Sequence, residues 1–195
     1  LYVYGFQAEL GSYATSYIPT DGSTVTRSAD VANNSGNADL FNDSEGVLYA
    51  EISALADDGT GRYLGISDGT TNNRILVFYS NANQLMFFLG GTGGSITKGV
   101  VGTQITKFTK LAIKYKAQDF SFYVNGFEID TNTSNITFSG FNDLSFNNPY
   151  QGGTSPFYGK VKAIAVFKEA LTDEELVKIT SVTQQEVFYE MRDRM

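Results

Sequence analysis

Along most of this chain apolar and polar side chains alternate with a period of two, and Gly, Asn or Asp repeatedly cuts the alternation. A period of two puts successive side chains on opposite faces of an extended backbone, so each run predicts a strand with one buried face. Ten such runs occur: Val47–Ala54, Arg62–Ser67, Arg74–Ser80, Gln84–Leu89, Ser95–Val101, Lys110–Lys116, Phe120–Val124, Phe127–Asp130, Asn142–Phe146 and Lys160–Phe167. In Lys110–Lys116, Leu111, Ile113 and Tyr115 share one face, and Lys110, Lys114 and Lys116 share the other. In Phe120–Val124, Phe120, Phe122 and Val124 alternate with Ser121 and Tyr123. Such strands pack one face on a core and leave the other wet. The expected fold class is all-β, a two-sheet antiparallel jelly-roll sandwich with short C-terminal helical segments.

Three turns set which strands are neighbours. Ser80 to Asn83 separates two aromatic strands, and Gln118-Asp119 reverses the chain between Tyr115 and Phe120. Asn125-Gly126 is the strongest two-residue hairpin signal, because both positions favour positive φ. The last strand runs through Ala170-Leu171 into a short acidic helix. There Thr172 and Glu175 form a capping box, and Asp173, Glu174 and Glu175 sit where the helix dipole favours negative charge. A second capping box, Thr183 with Glu186, precedes an apolar stripe of Phe188, Met191 and Met195 at helical spacing. This tail is either a helix on the domain's own surface or a linker helix or oligomer contact.

Upstream, Leu1–Leu10 alternates like a strand, Pro19 then forbids a regular ladder, and residues 24–31 read as the first strand of the main domain. Residues 32–45 are a turn-rich connector. The expected organisation is an N-terminal arm over 1–22, the last strand of a preceding domain, a β-sandwich over 23–181, and a C-terminal helix or linker over 182–195.

Composition narrows the function classes. Hydrophobic residues are 42 %, aromatics 14 % and charged residues 18 %, which is the balance of a folded domain. A net charge of −7 argues against a nucleic-acid partner or a polybasic membrane contact. The absence of Cys and His excludes disulfides, thiolate metal sites, Cys nucleophiles and His-based triads. No apolar run reaches the roughly 18 residues of a membrane helix, so membrane insertion by a helix is not expected.

Three segments together resemble a known family. FYVNGFEI (Phe122–Ile129), ISDGTTNNRI (Ile66–Ile75) and the closing FYGKVKAIAVFKEALTDEEL (Phe157–Leu176) are similar, in order and spacing, to concanavalin A-like, laminin-G-like jelly-roll domains. The resemblance covers roughly residues 45 to 180, and the closing segment is its most specific part. The upstream LYVYGFQAELGSYATSYIPTDGSTVTRSADV is similar to a junction found in bacteriophage tail and receptor-binding proteins. The resemblance implies a recognition module located on a virion tail or otherwise extracellular, with a polysaccharide or cell-surface glycan as partner. Flanking regions would be the place for a homo-oligomer contact.

This fold also hosts glycoside hydrolases, whose chemistry needs paired catalytic acids. They come in pairs roughly 5–9 Å apart, at i, i+2 or i+4 on one strand face. Glu51 is the nearest candidate, but Ser53 and Leu55 hold its same-face positions, so no catalytic residue is expected. Gly90–Lys98 lacks the G-x-x-x-x-G-K-[ST] order of a phosphate cradle and reads as a hairpin loop. Ca²⁺ is the one cofactor the family raises. Asp57, Asp58, Asp68 and Asp143 are the loop carboxylates that could serve it, although none has the spacing of a calcium loop. Sugar recognition needs aromatic faces and planar polar groups. The candidates are Tyr63, Arg74, Tyr79, Tyr123, Asn147 and Tyr150, and either Arg62 or Arg74 could clamp a carboxylate. The function expected is a non-catalytic carbohydrate- or surface-recognition module of a phage tail-type protein. The alternatives are a structural or trimerisation module of a tail fibre, or a carbohydrate-binding appendage of a polysaccharide-degrading enzyme.

Overall fold

Each alternating run becomes a strand. In the computed structural model, Gly5, Ala8 and residues 17–26, 36–149 and 155–182 are described. They contain β1 (Glu45–Ala54), β2 (Arg62–Ser67), β3 (Arg74–Tyr79), β4 (Leu85–Gly91), β5 (Gly94–Val100), β6 (Thr109–Lys116), β7 (Phe120–Val124), β8 (Phe127–Asn132), β9 (Asp143–Ser145), β10 (Gly159–Phe167) and α1 (Asp173–Thr180). The chain divides into two compact units, Leu1–Val31 and Ala32–Met195. The described part of the first unit carries no regular element. The strand expected over Leu1–Leu10 and the helix expected over 183–195 fall mostly or wholly outside the described residues. No described helix is long and apolar enough to cross a membrane.

All strand pairs are antiparallel, and they build two five-stranded sheets, β10-β1-β6-β7-β8 and β5-β4-β3-β2-β9. The tight turns follow from their residues. Asn83, Gln118, Asn125 and Gly126 all have positive φ, and the Asn125 and Gly126 values of 50° and 85° match the twist of the β7–β8 hairpin. Asn125 also fixes its own register, since its amide oxygen accepts the Lys110 N–H at 3.0 Å. The glycine-rich β4–β5 hairpin is fastened at its tip, where Thr92 and Thr137 exchange backbone hydrogen bonds of 2.9 and 3.0 Å.

The core lies between the sheets, with the period-two positions of each strand meeting face to face. Leu48, Ile52, Leu64, Ile66, Ile75, Phe87, Leu111, Ile113 and Phe122 are fully buried there, and Phe87 meets Phe122 across the layers at 5.4 Å. Burying one such side chain is worth about 1.5–3 kcal/mol. One end is closed by edge-to-face rings, with Tyr115 at 5.8 Å from Phe138 and 5.9 Å from Phe141. The Tyr115 hydroxyl donates to the Asn42 carbonyl at 2.9 Å, which satisfies its polar end.

One expectation fails instructively. The outward face of β6 and β7 is covered over much of its length, because α1 lies on it, and only Lys116 of its lysines stays exposed. Leu176 is fully buried among Val47, Ala112 and Tyr123 on the outside of the first sheet. The capping box forms as read, with Glu175 N–H donating to Thr172 Oγ1 at 3.3 Å and Thr172 N–H donating to Glu175 Oε2 at 2.9 Å. Those bonds hold the Glu175 carboxyl below its ordinary pKa. Lys114, 6 % exposed, sits between Asp119 at 2.8 Å and Asp173 at 3.1 Å. Burial disfavours its charge, but the two carboxylates win and its pKa is raised.

Docking of α1 should depend on one side chain. Replacing Leu176 with Ala is expected to cost about 2–5 kcal/mol, and Thr172 with Ala about 1 kcal/mol. Urea unfolding followed by near-ultraviolet circular dichroism measures both; an unchanged midpoint for Leu176→Ala would refute the docking.

Candidate functional site

With α1 on the first sheet, the outer face of the second is the larger chemically varied surface. Register aligns its outward positions into three cross-strand rows. Asp143, Ser67, Arg74, Gly90 and Ser95 form one, and Ser145, Gly65, Leu76, Phe88 and Thr97 the next. Tyr63, Phe78, Met86 and Gly99 form the third. The surface therefore grades from charged and hydroxylated to aromatic. Exposure rises across it, from buried Asp143, Ser145, Gly65, Ser67, Leu76 and Gly90 through part-exposed Tyr63, Arg74, Phe78, Met86 and Phe88 to exposed Ser95 and Thr97.

Three glycines keep this surface low. A Cβ on Gly65 would collide with the Ile75 carbonyl oxygen and stand 2.7 Å from Leu76 Cδ2, one on Gly90 would stand 2.8 Å from Phe88 Cε1, and one on Gly99 3.1 Å from Met86 Sδ. Leu76, Phe88 and Met86 can lie flat across the sheet because those β-carbons are missing. The Tyr63 and Phe78 rings stack at 4.6 Å and 8°, which extends the flat area. On the flattened Phe88 rests the Arg74 guanidinium, 4.7 Å from the ring centroid. Stacking of this kind orients the planar cation. Its Nη1 reaches Asn148 Oδ1 at 3.5 Å, so the loop after β9 also borders the site. Asp143 is buried, accepts the Ser145 hydroxyl on Oδ2, and has no partner for Oδ1 among the described residues.

The sequence candidates are thus divided. Tyr63 and Arg74 come together on this face. Asn147 borders it, buried, with its amide oxygen accepting the Asn148 and Ser155 N–H groups at 2.8 and 3.2 Å, so it closes its own loop. Tyr150 lies outside the described residues. Tyr79 is corrected: it is fully buried in the core, its hydroxyl 3.4 Å from the Ile52 carbonyl, and offers no ring face to a ligand. Tyr123 is corrected too, being 1 % exposed on the first sheet beside α1, with its hydroxyl donating to Glu128 at 2.8 Å. Burial pushes both phenols well above their ordinary pKa. Arg62 is no clamp for a ligand, because it is 2 % exposed and bonded to Asp58 at 2.8 Å and the Thr60 carbonyl at 2.9 Å.

The carboxylates also separate. Asp57 is exposed, Asp58 holds Arg62, and Asp68 ties its own loop through Thr70 and Asn73. Burial works against the Asp68 charge, but those bonds prevail and its pKa is lowered. No group of three or more Asp or Glu among the described residues is arranged to hold a metal ion. Glu51 faces outward on the first sheet and pairs with Lys162 at 2.7 Å.

The family model of the concanavalin A-like lectin/glucanase superfamily, in its laminin-G-like form, matches residues 34–177. The chain belongs to this superfamily. No curated protein matches it in sequence. Among solved structures this superfamily member is similar to the carbohydrate-binding module CBM40 of the Ruminococcus gnavus intramolecular trans-sialidase bound to α2,3-sialyllactose. The TM-score is 0.63 at 16 % identity, over 79 % of this chain and 96 % of that one. The leech intramolecular trans-sialidase aligns with TM-score 0.60 and 20 % identity over 80 % of this chain, but only 27 % of the enzyme. Domain 4 of the Geobacillus stearothermophilus arabinanase AbnA, in complex with arabinotriose, gives 0.58 and 15 % over 77 % and 75 %. Likeness at these identities is likeness of fold.

Phe78, Met86 and Phe88 were missed as members of this outer face. Their signal was parity: Arg74, Leu76 and Phe78 alternate with Ile75, Val77 and Tyr79, so Tyr79 never shared a face with Arg74. The buried Arg62 yields a pH prediction. The Thr60 backbone N–H, then Arg62 and the Thr60 hydroxyl, lower the Asp58 pKa from 3.8 to about 2. Its contribution is full above pH 3.8 and fades as pH falls through about 2. Asp58→Asn should therefore be less stable than wild type from pH 4 to 7, with the gap closing towards pH 2 in thermal melts.

Proposed function

We propose that the protein is a non-catalytic carbohydrate-recognition module that binds glycans on the outer face of its second sheet. The carrying observation is the Arg74–Phe88 stack set beside Tyr63–Phe78 on glycine-flattened strands. Sugars present C–H faces to aromatic rings and hydroxyls to planar polar groups, and both are within this one surface. A guanidinium held flat favours a carboxylate-bearing sugar, since Arg offers a rigid two-pronged donor. The sialyllactose and arabinotriose bound by fold relatives support the same class. On the resemblance of the Leu1–Val31 junction, the module belongs to a phage tail-type modular protein, on a virion tail or otherwise extracellular. The sequence of the parent polypeptide tests that setting.

A glycan array probed with the wild-type chain and with Arg74→Ala tests the site. Hits are expected for the wild type, with acidic glycans foremost. Loss of the charged hydrogen bonds, about 1.5–3 kcal/mol, should weaken them by about tenfold or more, and Arg74→Lys should not restore them. Silence across a broad panel, joined with a stable trimer in light scattering, would favour the structural reading instead.

A further inference from the structure

A second feature lies along the other opening of the sandwich, where the free edges of β5 and β8 face each other. Lys98 of β5 and Asp130 of β8 close part of this seam at 3.0 Å. Beyond them it widens into a hollow of about 470 Å³, between the chain that joins β5 to β6 and the Asn125-Gly126 hairpin. Three exposed apolar side chains line it: Val101 at 84 %, Phe127 at 73 % and Phe108 at 41 %. Thr103, Gln104 and Lys107 line the same hollow, and their side chains make no hydrogen bond or ion pair with another described residue. The volume falls within the roughly 300–1,000 Å³ of small-ligand sites. An acyl chain or apolar peptide would leave the amide, hydroxyl and ammonium desolvated and unmatched, at a cost that opposes binding. A ligand alternating C–H faces with hydroxyls matches them all.

We propose that this hollow is a second sugar-binding site, for an acidic oligosaccharide. A pyranose face lies on Phe127 and Phe108, its carboxylate meets Lys107, and its hydroxyls bond Gln104 and Thr103. Phe108 already receives a cation on its ring, with the Lys162 ammonium 5.6 Å from the centroid, so Phe127 is the principal platform. The inference rests on the reading of the module as sugar-binding, yet the two sites share no side chain. One module would then hold a polysaccharide at two points, which raises avidity without new contacts.

The test is a ¹⁵N NMR titration of the full chain with 3′-sialyllactose and with tetragalacturonic acid, in wild type, Arg74→Ala, Phe127→Ala and Lys107→Gln. The expected result is saturable shifts at residues 101–109 and 125–129 with at least one probe, retained in Arg74→Ala. Phe127→Ala and Lys107→Gln should each weaken them by about tenfold, the effect of losing one good aromatic or charged contact. Both side chains are on the surface of the hollow, and retained spectra confirm the fold. Shifts confined to the Tyr63–Phe88 face would overturn this inference while leaving the proposed function standing. Shifts confined to the hollow would do the reverse, and no shift anywhere would sink both. Shifts in the hollow that track protein concentration without sugar would mean that it seats a second copy of the chain, which also overturns the proposal.

Discussion

The seating of Leu176 among Val47, Ala112 and Tyr123 decides which side of the sandwich can meet another molecule. A two-sheet sandwich has two outer faces, and among the described residues this one has a single α-helix to cover them. The helix is held over the first sheet by several independent contacts. The Lys114 ammonium grips Asp173, the Gly126 N–H donates to Thr180 Oγ1 at 3.2 Å, and the Lys110 ammonium donates to the Ser181 carbonyl at 3.1 Å. The polar alternation of β6 and β7 therefore serves the docking of α1. Lysines that a lone sheet would leave in water become anchors for the helix start and the chain leaving its end.

On the second sheet the outward positions of β9 and, save Tyr63, of β2 are buried, and the part that meets water lies towards β4 and β5. Gly65, Gly90 and Gly99 each vacate a position over which a longer side chain lies down. The result is a broad, low surface with a stacked aromatic pair at one end and a cation supported on a ring at the other. Glycine weakens strands, so three of them on one face are better explained by the surface they create than by the stability they give.

Much of the architecture was legible before any coordinates. Period-two runs located all ten strands within a residue or two for most ends, since side-chain alternation is a local property of extended backbone. The Asn125-Gly126 hairpin and the Thr172–Glu175 cap were equally legible, because each is settled by a few adjacent residues. Arg74 and Tyr63, picked by their chemistry, do lie on one outer face, whereas Tyr79 was misjudged although the parity of its own strand placed it with Ile75 and Val77. Tyr123 was misjudged for another reason. Its outward parity was right, but burial came from a helix some fifty residues later in the chain.

The sequence by itself thus determined strand positions, turn types, the helix start and the absence of Cys and His chemistry, all of which depend on neighbours along the chain. Tertiary structure decided which strands lie side by side and which outer face α1 covers. It also decided that Arg62 faces inward to Asp58 while Arg74 faces outward onto Phe88. Those outcomes depend on contacts between residues far apart in the chain, where hydrophobic burial is non-directional and only the assembled geometry selects the partner. The two arginines make the point at the scale of one side chain. They are the same residue type, each opening a strand, but Arg62 shares its strand face with Leu64 and Ile66 and Arg74 shares its own with Leu76 and Phe78. What separates them is the surface that the rest of the fold places beside each.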